Sequence, residues 1–144
     1  MRISERVSLV GSGQLGMRIS HRLDCNVYLL NGGAECALID AASGVEPERI
    51  VTNIEKAGVA MNRVRWLLLT HAHADHAAGA HFFHNRYGME AICAAEAVPW
   101  IAAGDEEATS IRLAREAVVY PSDFIYPPCP VAKGVHEGDF TDSS

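Results

Sequence analysis

The sequence predicts a layered α/β domain. Three observations carry that prediction. Strand-like and helix-like segments alternate along the chain. Residues 64–70 form an almost wholly apolar run, of the kind a sheet buries. Asn31-Gly32-Gly33 sits between two apolar runs in the manner of a hairpin turn. The chain has 144 residues, about one domain, and residues 1–144 are read as a single unit. Its 49% hydrophobic and 21% charged content excludes a disordered tail, a collagen or a fibrous repeat.

The elements follow in order. Residues 6–10 read as a short strand, and Gly11-Ser12-Gly13-Gln14-Leu15-Gly16 as the loop after it. Residues 26–30 and 34–40 are the arms of the hairpin, and Asp40 closes the second arm. Pro47 opens a helix, because its fixed φ suits the first turn. Ile50, Ile54 and Ala57 then recur at helical spacing, and Gly58 ends the run. Residues 64–70 are the expected central buried strand. Residues 77–87 read as a helix stopped by Gly88, and residues 91–95 as a strand. Two helices are expected at 97–103 and 106–118, parted by Gly104. Pro121, Pro127, Pro128 and Pro130 make the next stretch irregular, and Thr141-Asp142-Ser143-Ser144 is expected to fray.

Charge narrows the partners. The net charge is −6, so bulk electrostatics favours neither nucleic acid nor an anionic membrane. Arg18, Arg22, Arg63, Arg65 and Arg86 form no basic run. Arg112 and Arg115, with Glu106, Glu107 and Glu116, read as a solvated face with local ion pairs. The aliphatic run from Trp66 to Leu69 is far too short to span a bilayer, and no apolar stretch follows the charged start. A cytoplasmic protein acting on a small molecule is the expectation. Cys25, Cys36, Cys93 and Cys129 contain no CxxC pair, which excludes a zinc ribbon and a thioredoxin-type motif. They read as free and mostly buried thiols. Trp66 and Trp100 read as core or interface fillers.

The glycine loop at 11–16 has the GxGxxG spacing of a dinucleotide-binding turn, with Asp40 near the distance of a ribose-binding acid. That reading requires a crossover helix. Asp24-Cys25-Asn26 and then Asn31-Gly32-Gly33 break any such helix, so the loop reads as a turn.

The chemistry concentrates in Thr70-His71-Ala72-His73-Ala74-Asp75-His76, directly beyond the apolar strand. In extended backbone, His71, His73 and Asp75 point to one side. His76 begins the next helix, where the turn can swing its ring toward the same cavity. Neutral imidazole and carboxylate are both good ligands for zinc or another borderline divalent ion. The intervening alanines are too small to crowd an ion. His71, His73, Asp75 and His76 are therefore the candidate metal ligands.

This stretch resembles the HxHxDH signature of the metallo-β-lactamase superfamily. The resemblance implies an αββα sandwich, of which this chain would be the N-terminal half. It implies two adjacent divalent ions, zinc first, with manganese or iron as alternatives. His71 and His73 would help hold one ion, and Asp75 and His76 the other. Asp75 would also orient the nucleophile as a catalytic group. Residues 24–30, the glycine turn and Ala37-Leu38-Ile39-Asp40 look like the N-terminal hairpin of that family's hydrolases. Asp40 matches the aspartate that supports the metal loop, although Ala41 follows it where many members have glycine. His76 after the aspartate is similar to the glyoxalase II, lactonase and RNase Z branches. The implied activity is hydrolysis of an ester, thioester or lactone. A truncated, non-catalytic metal binder and a persulfide dioxygenase-like iron enzyme are the alternatives.

A catalytic zinc takes three protein ligands and a water, whereas the motif supplies two residues per ion. His81 and His84 read as surface histidines, and His136 lies in what looks like a turn before the family's third-ligand loop. The chain is thus expected to bind metal weakly, to turn over slowly or not at all, and to self-associate through its incomplete sandwich.

Overall fold

A computed structural model describes residues 1–139; the stretch from Thr141 to Ser144 lies outside them. Six strands form one sheet, in sequence order: β1 (Val7–Gly11), β2 (Val27–Asn31), β3 (Cys36–Ile39), β4 (Val64–Leu68), β5 (Glu90–Ala94) and β6 (Val131–Val135). The first three pair antiparallel, while β3 through β6 run parallel. The hairpin turns as predicted, with Gly33 at φ +91°. The antiparallel β1–β2 pairing removes the dinucleotide reading, because no crossover helix joins the two strands.

The helices are α1 (Pro47–Lys56), α2 (Ala74–Ala77), α3 (Ala80–Tyr87), α4 (Val98–Ala103) and α5 (Ile111–Glu116). Leu29, Leu38, Leu67 and Ala91 stand side by side on one face of the sheet, and all are buried. Ile50 and Ile54 of α1 and Phe83 of α3 share that core. Each such large side chain contributes about 1.5–3 kcal/mol by leaving water. Asn53 of α1 donates from Nδ2 to the carbonyls of Val10 (2.8 Å) and Ile19 (2.9 Å), tying the helix to the end of β1.

Three predicted elements are corrected, and one strand is added. The run at 64–70 is not buried on both faces: Arg65 is exposed and Trp66 and Leu68 are half-buried. Tyr28, Leu30, Ala37 and Ile39 share that second face and also lie outside the core. Trp66 instead stacks under the Arg65 guanidinium, 4.8 Å from the ring centroid, and Trp100 is exposed, so neither fills the core. The helix expected at 77–87 is broken into α2 and α3 at Gly79. The helix expected at 106–118 keeps only α5. Asp105 Oδ1 accepts the N–H groups of Glu107 (2.9 Å) and Ala108 (3.0 Å), holding a turn in place of the helix start. The proline-bearing stretch up to Pro130 is irregular as expected, and β6, for which no strand was predicted, forms just beyond it by pairing with β5.

The break at Gly79 positions the site. Its N–H donates to the carbonyl of Ala42 (2.8 Å), and Ala41 N–H donates to the carbonyl of His76 (2.7 Å). These bonds lay the 40–42 segment against α2 so closely that a Cβ at Gly79 would overlap the Ala41 carbonyl. Gly79→Ala should therefore cost about 1–3 kcal/mol. Urea denaturation checks this, and an unchanged midpoint contradicts the packing.

Candidate metal centre

The carboxyl ends of the parallel strands point the same way, the edge where open α/β sheets place ligands. Asp40 follows β3 there, and the 70–76 loop follows β4. Ala72 and Ala74 are buried in the core. Their packing turns His71 and His73 outward, so the alanines serve as anchors as well as spacers. The extended period stops at His73. Asp75 reaches the site from the first turn of α2, not from a continued strand.

The three imidazoles converge. The His71 ring centroid lies 3.9 Å from that of His76 and 4.9 Å from that of His73. His76 Nε2 stands 3.5 Å from Asp75 Oδ2. Asp75 and His76 line a crevice of about 460 Å³, together with Asp24, Cys25, Asp40 and Thr70. A separate cavity of about 630 Å³ lies between α3 and the 121–127 strap, floored by Phe82 and Phe124.

Asp40 organises the loop. It is 3% exposed and sits at φ +66°, a left-handed conformation that costs a non-glycine residue energy. Its carboxylate accepts the Thr70 N–H (2.8 Å), the Thr70 hydroxyl (2.7 Å to Oδ2) and His76 Nδ1–H (2.8 Å). The hydroxyl proton is committed to Asp40, so His71 Nδ1, 3.0 Å from Thr70 Oγ1, must be the donor in that pair. Both rings therefore present Nε2 outward as the free lone pair. A carboxylate behind a histidine is the usual way to fix the ring of a metal ligand.

The electrostatics differ between the two rings. Burial, then the neighbouring His76 and His73, lowers the His71 pKa and keeps that ring neutral. Burial alone would also lower His76, but the Asp40 hydrogen bond and the charges of Asp75 and Asp40 outweigh it and raise the value. Tyr120 is pushed up to about 12 by burial first and the Asp75 charge second. Sequence reasoning had passed over Tyr120, which stands in the irregular stretch.

Other histidines are engaged elsewhere. His81 Nδ1 pairs with the Pro128 carbonyl (3.0 Å) and His84 Nδ1 with the Met89 carbonyl (2.8 Å). His136 follows β6 and donates its backbone N–H to Asp139 (2.8 Å). All four cysteines are free; Cys36, Cys93 and Cys129 are buried, and Cys25 is partly so.

The family model of the metallo-beta-lactamase superfamily matches residues 22–142. The chain belongs to the metallo-beta-lactamase superfamily. A curated relative, the "probable metallo-hydrolase" of Burkholderia pseudomallei, is 37% identical over 75 residues, covering 44% of this chain and 24% of that protein. A metallo-β-lactamase with an HARLDQ motif from Cronobacter sakazakii superposes with a TM-score of 0.75 at 23% identity, over 96% of this chain and 48% of that one. The FEZ-1 metallo-β-lactamase of Legionella gormanii gives 0.75 at 23% identity, over 98% and 47%. The chain thus spans about half the length of these solved structures and a quarter of the curated relative. Family membership makes a divalent metal the expected cofactor, and the donor chemistry fits one: outward Nε2 atoms, a nearby carboxylate and a buried carboxylate behind them.

Proton NMR of the imidazoles in metal-free protein should show His76 titrating above 6.5 and His71 below it. Asp40→Asn removes the negative charge, and with it the charge-assisted hydrogen bond that raises His76, so its value should fall. An unmoved His76 in that variant contradicts the assignment of Asp40 as its partner.

Proposed function

We propose that this chain is a metal-dependent hydrolase of an ester, thioester or lactone, closest in flavour to glyoxalase II. The observation that carries the reading is the convergence of three imidazoles and the Asp75 carboxylate, backed by the buried carboxylate of Asp40. His71 and His73 would hold one divalent ion, and Asp75 and His76 a second, with zinc the first choice. When bound, such ions supply hydroxide at neutral pH and polarise the substrate carbonyl.

The protein's own part is positional. Asp40 and Thr70 keep His71 and His76 in the tautomers that face outward. His71, held neutral, has its lone pair available at pH 7. His76 carries a raised pKa, so ligation there competes with a proton and strengthens as pH rises. Asp75, on the open side of His76, orients the attacking water and takes its proton. His76 at the end of the motif supports the glyoxalase II-like branch. Free thiols at all four cysteines fit the reducing cytoplasm. No helix among the described residues is long and apolar enough to cross a membrane.

The test is zinc-, manganese- and iron-dependent turnover of a thioester, a lactone and a β-lactam. Zinc-dependent thioester or lactone hydrolysis that disappears in His71→Ala is expected. Asp40→Asn should weaken zinc binding by about 10–100-fold. Zinc bound through His71 without turnover would favour the non-catalytic alternative. Turnover unaffected by His71→Ala would overturn the site.

A further inference from the structure

Cys25 is not among the candidate ligands of the 71–76 loop, yet it stands in the crevice. It precedes β2, and its backbone N–H donates to the carbonyl of Asp75 (3.1 Å), which fixes it against α2. Its sulfur, an imidazole nitrogen of His76 and a carboxylate oxygen of Asp40 all lie within 4.8 Å of one another. Donors around a tetrahedral zinc stand roughly 3.3–3.8 Å apart, given bonds of about 2.0–2.3 Å. Asp40 is already engaged with His76 Nδ1 (2.8 Å), so an ion joining the sulfur to this ring takes Nε2, in the crevice that Cys25, Asp75 and His76 line together. Asp75 Oδ2 already lies 3.5 Å from His76 Nε2 on the open side.

We propose that Cys25 Sγ is a protein ligand, the third donor to the ion held by His76 and Asp75. This rests on the reading that the 71–76 loop holds metal at all. It answers the shortfall in the motif, which offers that ion two donors where a catalytic zinc takes three plus an open position. On binding, the Cys25 S–H bond breaks, its proton leaves to solvent, and the sulfur lone pair forms the bond to the ion; the metal's oxidation state does not change. Burial and the charges of Asp40, Asp75 and Asp24 disfavour a bare thiolate. The same negative field attracts a cation, and a bound cation reverses the balance, since a coordinating thiol is deprotonated outright. Asp40 keeps its hydrogen bond to His76 Nδ1 throughout. Sulfur biases the site toward zinc, cobalt or cadmium over magnesium and manganese.

Cobalt(II) titration tests this on the intact chain. Visible d–d bands report metal in the loop, and a near-ultraviolet charge-transfer band reports a thiolate on it. The expected result is both in the unaltered protein, with the near-ultraviolet band lost in Cys25→Ser and kept in Cys93→Ser. Visible bands without the near-ultraviolet band, or a band that survives Cys25→Ser, overturn the Cys25 assignment and leave the metal loop standing. No visible bands at all overturns both. Cadmium-113 NMR of the unaltered protein needs no substitution: a resonance shifted downfield toward thiolate ligation supports the assignment, and one in the range of nitrogen and oxygen donors overturns it.

Discussion

A carboxylate buried at the end of β3 sets the geometry of everything around it. Removing a charge from water is costly unless its lone pairs are met. Asp40 is satisfied by the Thr70 amide, the Thr70 hydroxyl and His76 Nδ1–H. Each of these bonds comes from the loop after β4, so the price of burying one residue fixes the shape of a neighbouring segment. The left-handed backbone at Asp40 and at Ala42 is strain of the sort that a surrounding structure must over-determine. Here the over-determination is visible in the backbone bonds from Ala41 to His76 and from Gly79 to Ala42.

The sheet supplies the frame. Parallel pairing of β3 with β4 puts Ile39 opposite Leu68, which brings the residues just beyond them, Asp40 and Thr70, to one edge. Ala72 and Ala74 then root the loop in the core while His71 and His73 turn outward. The result is a rigid base with chemically free nitrogen atoms above it. Rigid elements hold ligands more accurately than loops, and this loop is made rigid by its buried half.

The sequence made the histidine-rich loop, the hairpin and α1 legible because each has a local cause. Three histidines and an aspartate are crowded after an apolar run, glycine turns follow asparagine, and proline opens a helix. What escaped has a tertiary cause. β6 is a short segment with Lys133 and Gly134 inside it, and only its pairing with β5 makes it a strand. The 77–87 helix is broken because Gly79 must abut the 41–42 backbone, a contact no local pattern announces. The 106–118 helix lost its start to a side-chain competitor, Asp105, whose turn-forming habit was readable but was outweighed by the helical spacing around it. The second face of the sheet was misjudged at Arg65 and Trp66, since an apolar run does not say how many faces are covered. Cys25 is the free thiol that the sequence led one to expect, but its nearness to His76 was not legible, because it arises from the docking of the β2 entry onto α2.

The most direct test is anomalous diffraction at the zinc edge from crystals of the zinc-loaded chain. The account predicts a peak at bonding distance from His76 Nε2, with Asp40 still hydrogen-bonded to Nδ1 of the same ring. A peak on the Nδ1 side with the Asp40 contact broken, or zinc bound away from the 71–76 loop, would contradict it.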